Sequence, residues 1–519
     1  MMEYTGTVVA SLIGLLALNI VYNLYFHPLS KFPGPKIAAA SFFYEFYYDV
    51  IKSGMYIWEI ERMHEIYGPI VRINPREIHI KDSHYYDEIH AGSARKRAKD
   101  PKYAIAFGAP YSLVGTIGHD HHRFRRNILN NYFSKRSVQS LTPLIHEKVD
   151  KLISNFENAH KAGTVLRLHL DFAALTADVI THYSYGWSHG YLDESSGCLK
   201  NDLVDAVNGL MVMWHINRFF PFLITVFRAA PPALLRWLQP CMADLFDLKS
   251  RLRRQAAETV QKQEERKKRE DKEKSGTVDQ GQEERSTVFD ALTSLDVPAN
   301  ERGLDRLEDE SALLLGAGTE TTARAIAVSM FYLTKNKEIL AKLRLELKSV
   351  LPTPLSRASW TDLEKLPYLT GVVNEGLRLS HGMTARLARV SPTEPMIYKD
   401  WAIPAGTPVS QSNYFVHMDS TLFPDPGTFD PERWVRAAEK GEYLSRFIVS
   451  FTKGSRQCLG MNLAYAEIYL ALAHIARRID FELYETTVDN ITVYRELGIG
   501  CPKTGLLGVR ATVSGIVKV

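Results

Sequence analysis

The sequence predicts a mainly α protein: one large helical domain with a small strand region, standing behind a single N-terminal membrane helix. Three observations carry that expectation. Over most of the chain apolar residues recur at three and four residues, as in Leu463, Ala466, Leu470 and Ala473, the spacing of one buried helix face. Residues 69–82 alternate apolar and polar, the pattern of a short hairpin. From Thr5 to Phe26 there is no charged residue at all.

That uncharged run comes first in the chain. At about 1.5 Å rise per residue it reaches about 33 Å, enough to cross a hydrocarbon core. A cleaved signal peptide is the competing explanation, but it calls for a basic start and a small-residue cleavage site. Here the start carries Glu3 and no base, and Lys31 and Lys36 follow the span. The asymmetry favours an anchor with its N-terminus in the lumen and the bulk of the chain in the cytosol. Phe32-Pro33-Gly34-Pro35 then cannot continue a helix and is expected to act as a rigid hinge. Residues 1–30 are therefore assigned to the anchor and its flank, and residues 31–519 to the globular body.

With 519 residues, 45% of them hydrophobic, the body can bury a sizeable core, which excludes global disorder. Its net charge of +4 comes from bases mixed with nearly as many acids, which argues against a nucleic-acid partner. The four cysteines, Cys198, Cys241, Cys458 and Cys501, show no paired spacing. Neither a zinc site nor a disulfide framework is indicated, and a reducing compartment is expected. The highly charged stretch from Lys262 to Arg285 reads as a solvated helix end and exposed loop.

One thiol stands in a special setting. The chain reads Phe451-Thr-Lys-Gly454-Ser-Arg456-Gln-Cys458-Leu-Gly460 and then enters an apolar helix. A thiolate that holds iron must lose its proton, which a helix N-terminus favours through its positive end. It needs close backbone approach, which Gly454 and Gly460 permit, and an aromatic cover, which Phe451 supplies. Arg456 is placed to pair with a carboxylate of the bound group. An ordinary buried Cys before a helix is the alternative, yet it explains none of the other fixed residues.

This string resembles the haem-binding signature of the cytochrome P-450 superfamily, and further segments follow in the family's order. Leu313-Leu-Leu-Gly316-Ala317-Gly318-Thr319-Glu320-Thr321 is an apolar helix interrupted by glycines and ending in an acid–alcohol pair. It looks like the family's oxygen-activation segment. The glycines are expected to loosen a turn beside oxygen, and Glu320 and Thr321 to relay protons. Glu375 and Arg378, on one helix face, with Arg433 in Phe429-Asp-Pro-Glu-Arg433-Trp, are similar to the family's buried charge network behind the haem. In His122-Arg123-Phe-Arg125-Arg126 the resemblance implies propionate contacts from Arg126 and from His122, which stands where many relatives have Trp. Arg389 resembles another propionate arginine. The likeness covers residues 30–510, and the N-terminal segments look like fungal microsomal enzymes of the trichodiene-oxygenase type.

The resemblance implies a haem-thiolate monooxygenase on the endoplasmic reticulum membrane, with Cys458 as axial ligand to iron protoporphyrin. With no flavin domain or dinucleotide fingerprint in the sequence, electrons are expected from a separate NADPH-dependent cytochrome P-450 reductase. Arg123, Arg125 and Lys453 are expected to form its basic docking surface. The substrate is expected to be a small apolar molecule, a terpenoid or polyketide of secondary metabolism, consumed with O2. Pocket residues carried over from the family are Phe107, Leu113, Met213, Phe219, Leu313, Ala317, Thr384 and Leu497. A haem-thiolate isomerase or dehydratase, and a haem sensor without turnover, are the alternatives; the Glu320-Thr321 pair argues against the first.

Overall fold

The helix Leu304–Lys335 runs through the middle of the helical region, and from Thr322 to Phe331 every residue is buried. The cause is in its sequence: Ala323, Ala325, Ile326, Ala327, Val328, Met330 and Phe331 leave no polar face to give to water. The computed structural model describes residues 2–193, 202–231, 233–234, 237, 240–273 and 287–517. Cys198 and the end of the charged stretch, including Ser275 and Gly276, lie outside the described residues.

Around this central helix pack Leu168–Tyr185, Asp202–Phe219, Pro240–Glu273, Pro367–Ser380 and Met461–Arg478. Their apolar faces merge into one core running from Tyr86 to Val513, which includes Leu463, Ala466, Leu470 and Ala473. Glycines set how closely the helices approach. A Cβ at Gly318 would come within 2.8 Å of Ile180, and one at Gly316 within 3.2 Å of Val207. The helix is a regular α-helix through both positions, so the expected loosened turn is not there. The physical reason for these glycines is close helix crossing, reinforced by the Thr176 hydroxyl, which donates to the Thr319 carbonyl across 2.8 Å.

The strand region holds a five-stranded sheet in the order Ile70–Asn74, Glu77–Ile80, Pro408–Ser410, Arg389–Val390, Ala98–Lys99. Its first two strands form the hairpin that the alternation predicts. The polar positions of that alternation are buried too: Arg72, Asn74, Glu77 and His79 all lie inside. They face an ionic cluster in which Arg386 approaches Glu77 at 3.4 Å and Arg218 meets Asp49 at 3.0 Å and also Glu45.

The N-terminal helix Met2–Val21 continues through a wider turn, Tyr22–Phe26, and Tyr4–Phe26 is long and apolar enough to cross a membrane. Its apolar side chains are exposed along nearly the whole length. The junction with the body is fixed by buried Arg72, which donates to the Asn23 carbonyl at 2.8 Å, while the Arg72 amide donates to Pro33 at 2.7 Å. Gly34 sits against the Arg72 backbone at a positive φ where a side chain would collide.

On the helix Pro367–Ser380, Glu375 and Arg378 are fully buried and meet in a two-pronged pair at 2.7 and 2.8 Å. Arg433 Nε and Trp434 Nε1 donate to the same carboxylate at 3.1 and 3.2 Å, and the Asp430 amide at 2.9 Å. Arg378 also donates to the carbonyls of His417 and Thr428, each at 3.0 Å. One carboxylate thus ties the helix to the 417–434 segment. Glu375→Ala leaves two arginines buried without an anion, and unfolding by denaturant is expected to show a loss of about 3–5 kcal/mol.

Candidate active site

Cys458 lies two residues before the helix Met461–Arg478, whose N-cap is Gly460. The loop is built so that the sulfur is presented and not packed away. The Cys458 amide donates to the Phe451 carbonyl at 2.8 Å, closing the turn, and Gln457 donates to Gly454 at 3.1 Å. Gly454 has φ +71°, and a Cβ there would collide with the carbonyls of His90 and Ala91. Phe451 packs beside Tyr465, with ring centroids 5.1 Å apart. The Cys458 side chain keeps open surface although protein surrounds it. Burial pushes its thiol pKa up, while the Gly460 amide hydrogen bond and the charge of Arg126 pull it down.

Beside the thiol the fold gathers cations. Arg126 Nη1 donates to the Gln457 carbonyl at 2.6 Å, and Arg456 Nη1 to Thr116 at 2.7 Å. Arg389 donates to the carbonyls of Leu387 and Ala388 at 3.1 and 3.3 Å. Lys99 pairs directly opposite Arg389 across two antiparallel strands, a like-charge pairing that is destabilising unless an anion joins the two. Among the described residues none of these four cations meets a carboxylate within ion-pair distance. Burial depresses Arg456 to about 9 and Arg389 to about 10. His122 is driven down to about 2 by burial and then by Arg456, Lys99, Arg126 and Arg389, so it is neutral. Lys99 was not foreseen from sequence; its signal was a lone Lys in a two-residue strand, visible only once the pairing was known.

The central helix supplies the opposite side. Ala317, at its middle, keeps an exposed side chain although Thr319 and Thr322 are buried. A cavity of about 130 Å³ is lined there by Phe107, Leu313, Gly316, Ala317, Glu320, Thr321 and Leu497, together with Val207, Leu210, Met211, Trp214, Met383 and Ile499. Thr321 Oγ1 donates to the Ala317 carbonyl at 2.8 Å, so it presents a lone pair to the cavity. Glu320 is raised to about 7 by burial, with Arg324 pulling it the other way.

Four expected pocket residues lie elsewhere. Leu113 belongs to the core, and its amide donates to Glu310 at 2.7 Å. Met213 lines a small adjoining cavity, which shares Gly108, Leu210, Leu245 and Lys249 with the main one. Phe219 packs edge-on against Phe46 at 5.2 Å. Thr384 is fully buried under the hairpin Arg495–Cys501, its amide donating to Gly498 at 3.1 Å. On Asp202–Phe219 the reason is helical phase: 207, 210, 211 and 214 share one face, and 213 and 219 point away from it. The docking surface is corrected as well. Arg125 is buried, with Nε on Glu301 at 2.8 Å and Nη1 on Thr116 Oγ1 at 2.8 Å, and Lys453 is paired with Asp87 at 2.7 Å. Arg123 is exposed.

A thiol with open surface at a helix N-terminus, and cations beside it that meet no carboxylate among the described residues, fit an iron porphyrin with two propionates. Comparison with known proteins agrees. The family profile described as "Cytochrome P450" matches residues 41–506, and the chain belongs to that family. It is 45% identical to "Cytochrome P450 monooxygenase aflU" of Aspergillus parasiticus, over 99% of each chain. It is 46% identical to "Conidiogenone synthase PchP450" of Penicillium rubens, over 96% of each. It is 45% identical to "Cytochrome P450 monooxygenase TRI4" of Trichoderma arundinaceum, over 93% of this chain and 90% of that one. The protein is a haem-thiolate monooxygenase, an oxidoreductase that inserts one oxygen atom from O2 into an organic substrate. Like its family it works with a redox partner. Lys99→Met is expected to speed transfer of haem to an excess of apomyoglobin about tenfold, the scale of one charge-assisted hydrogen bond of about 1.5 kcal/mol.

Proposed function

We propose that this protein is a microsomal monooxygenase of fungal secondary metabolism, with Cys458 as its axial haem ligand and a terpenoid or polyketide as substrate. Residues 1–30 form a single-pass anchor in the endoplasmic reticulum membrane, and residues 31–519 form a catalytic domain on the cytosolic side. Electrons come from NADPH through cytochrome P450 reductase, with exposed Arg123 among the groups that meet it. The observation that carries the reading is Cys458 with open surface at a helix N-terminus, beside buried Arg389, Arg456 and Lys99 and half-buried Arg126, none of which meets a carboxylate among the described residues. Support for an apolar substrate comes from the lining: Phe107, Leu210, Met211, Leu313 and Leu497 exclude water and grip apolar carbon.

Haem, when bound, supplies the activation of dioxygen and the insertion of one oxygen atom into a C–H bond. Arg126, Arg389, Arg456 and Lys99 would hold its propionates, and neutral His122 would offer an N–H beside them. The Gly460 amide stabilises the Cys458 thiolate, and Phe451 shields it. The Glu375–Arg378–Arg433 network holds the segment that carries this loop and has no part in the chemistry. Glu320, raised to about 7 by burial, holds a proton that it can give and regain near neutral pH. Thr321, whose own hydroxyl is tethered to Ala317, offers an oxygen lone pair that accepts a hydrogen bond in the cavity.

Two variants test this assignment. Cys458→Ala is expected to abolish the strongly red-shifted Soret band of the reduced protein with carbon monoxide; an unchanged band would remove Cys458 as ligand. Thr321→Ala is expected to keep that band and the rate of NADPH oxidation while product falls and hydrogen peroxide rises. A threonine that only packs would lower the amount of folded enzyme and leave the ratio of product to NADPH unaltered.

A further inference from the structure

Arg324 lies one helical turn beyond Glu320, so the two share a face of the central helix. It is buried, and its guanidinium is poorly satisfied for a cation so placed. Nε donates to the Ser380 carbonyl at 3.4 Å, and Nη2 is enclosed with no partner. The charged and titratable groups that face it come from three elements. Glu320 is on its own helix. Cys501, with Glu496 and Arg495 behind it, is on the hairpin Arg495–Cys501. His381, from the turn that ends Pro367–Ser380, sits at φ +62° with a buried Nδ1 that has no partner, and His417 and Arg378 lie on its far side. No carboxylate other than Glu320 acts directly on Arg324 among the described residues.

Resting on the reading of Glu320 as proton donor, we propose that Arg324 is its positioning residue. The guanidinium receives the Glu320 carboxylate between proton deliveries and holds it at the His381 side for reprotonation. An Arg buried with open donors is costly, and a carboxylate one turn away on the same face is the group that relieves it. Glu320 therefore has two stations: the cavity wall as carboxylic acid, and Arg324 as carboxylate. In each delivery the carboxyl O–H breaks and the proton goes to dioxygen that is being reduced with electrons from the reductase. The carboxylate left behind turns to Arg324, and a solvent proton re-forms the O–H. Neither residue is oxidised or reduced. Burial and Arg324 act on Glu320 in opposite directions, which is what keeps it near neutrality. Burial and its cationic neighbours hold His381 neutral, so it adds no competing charge.

The test uses the haem-loaded, full-length enzyme and four variants: Glu320→Gln, Arg324→Met, Arg324→Gln and Arg324→Lys. The first readout is the infrared carboxyl C=O band followed against pH. The band missing in Glu320→Gln is assigned to Glu320, and its midpoint is expected to rise by about one pH unit in Arg324→Met, as loss of one nearby opposite charge requires. Arg324→Lys is expected to restore it. The second is hydrogen peroxide released per NADPH oxidised with cytochrome P450 reductase, expected to rise at least twofold in Arg324→Met and to fall back in Arg324→Lys. An arginine that merely braces Ser380 would move neither the midpoint nor the peroxide ratio, and that result overturns the proposal. Should Arg324→Met fail to load haem, Gln against Lys decides: equal midpoints overturn it, and a raised midpoint in Gln alone supports it. If Glu320→Gln leaves the peroxide ratio at the wild-type value, the proton-donor reading itself falls. If it raises the ratio and the Arg324 variants do not, Arg324 alone is struck out.

Discussion

Burying a cation without a carboxylate costs several kcal/mol, and this protein buries Arg389, Arg456 and Lys99 in one region and half-buries Arg126 beside them. Backbone carbonyls satisfy some of their N–H groups but cannot cancel their charge. Lys99 and Arg389 even stand opposite each other across a strand pair, where repulsion is greatest. An anion held between them would relieve that repulsion, and under the proposed assignment the haem carboxylates take this place beside the strand pair of Lys99 and Arg389.

Two other groups of buried charges follow a different rule. Glu375 accepts from two arginines, a tryptophan and a backbone amide, and the cluster of Glu45, Asp49, Glu77, Arg218 and Arg386 is mutually paired. These groups pin segments far apart in sequence. Arg386 lies near the cavity-lining Met383, and Arg218 is on the helix that provides Val207, Leu210, Met211 and Trp214. Their attractions are satisfied within the protein, so they hold the pocket walls whether or not a ligand is bound. Charge left open beside Cys458 binds; charge closed elsewhere braces.

The central helix joins the two. Its small residues let Leu168–Tyr185 and Asp202–Phe219 approach closely, while Ala317 and Thr321 keep a face toward open space. The glycines looked from sequence like a device for local looseness, but the helix is regular and they serve packing. The same small side chains that close one face leave room on another, which is why a buried helix can also form a cavity wall.

What the sequence determined by itself was whatever is local. The thiolate loop was legible because turn geometry, glycine conformation and a helix N-terminus are properties of ten adjacent residues, Phe451 to Gly460. The uncharged N-terminal span and the buried helix faces were legible because they depend on composition and a fixed 3.6-residue period. What only the tertiary structure decided was everything set by contact between distant segments. Lys99 gained its meaning from pairing with Arg389, Arg125 lost its surface to Glu301, and Leu113, Met213, Phe219 and Thr384 left the pocket for other surroundings. A helix's period fixes which of its residues share a face, but not which neighbour that face will meet. That choice rests on packing across the whole chain, where a step of two residues along a helix separates a cavity wall from a core.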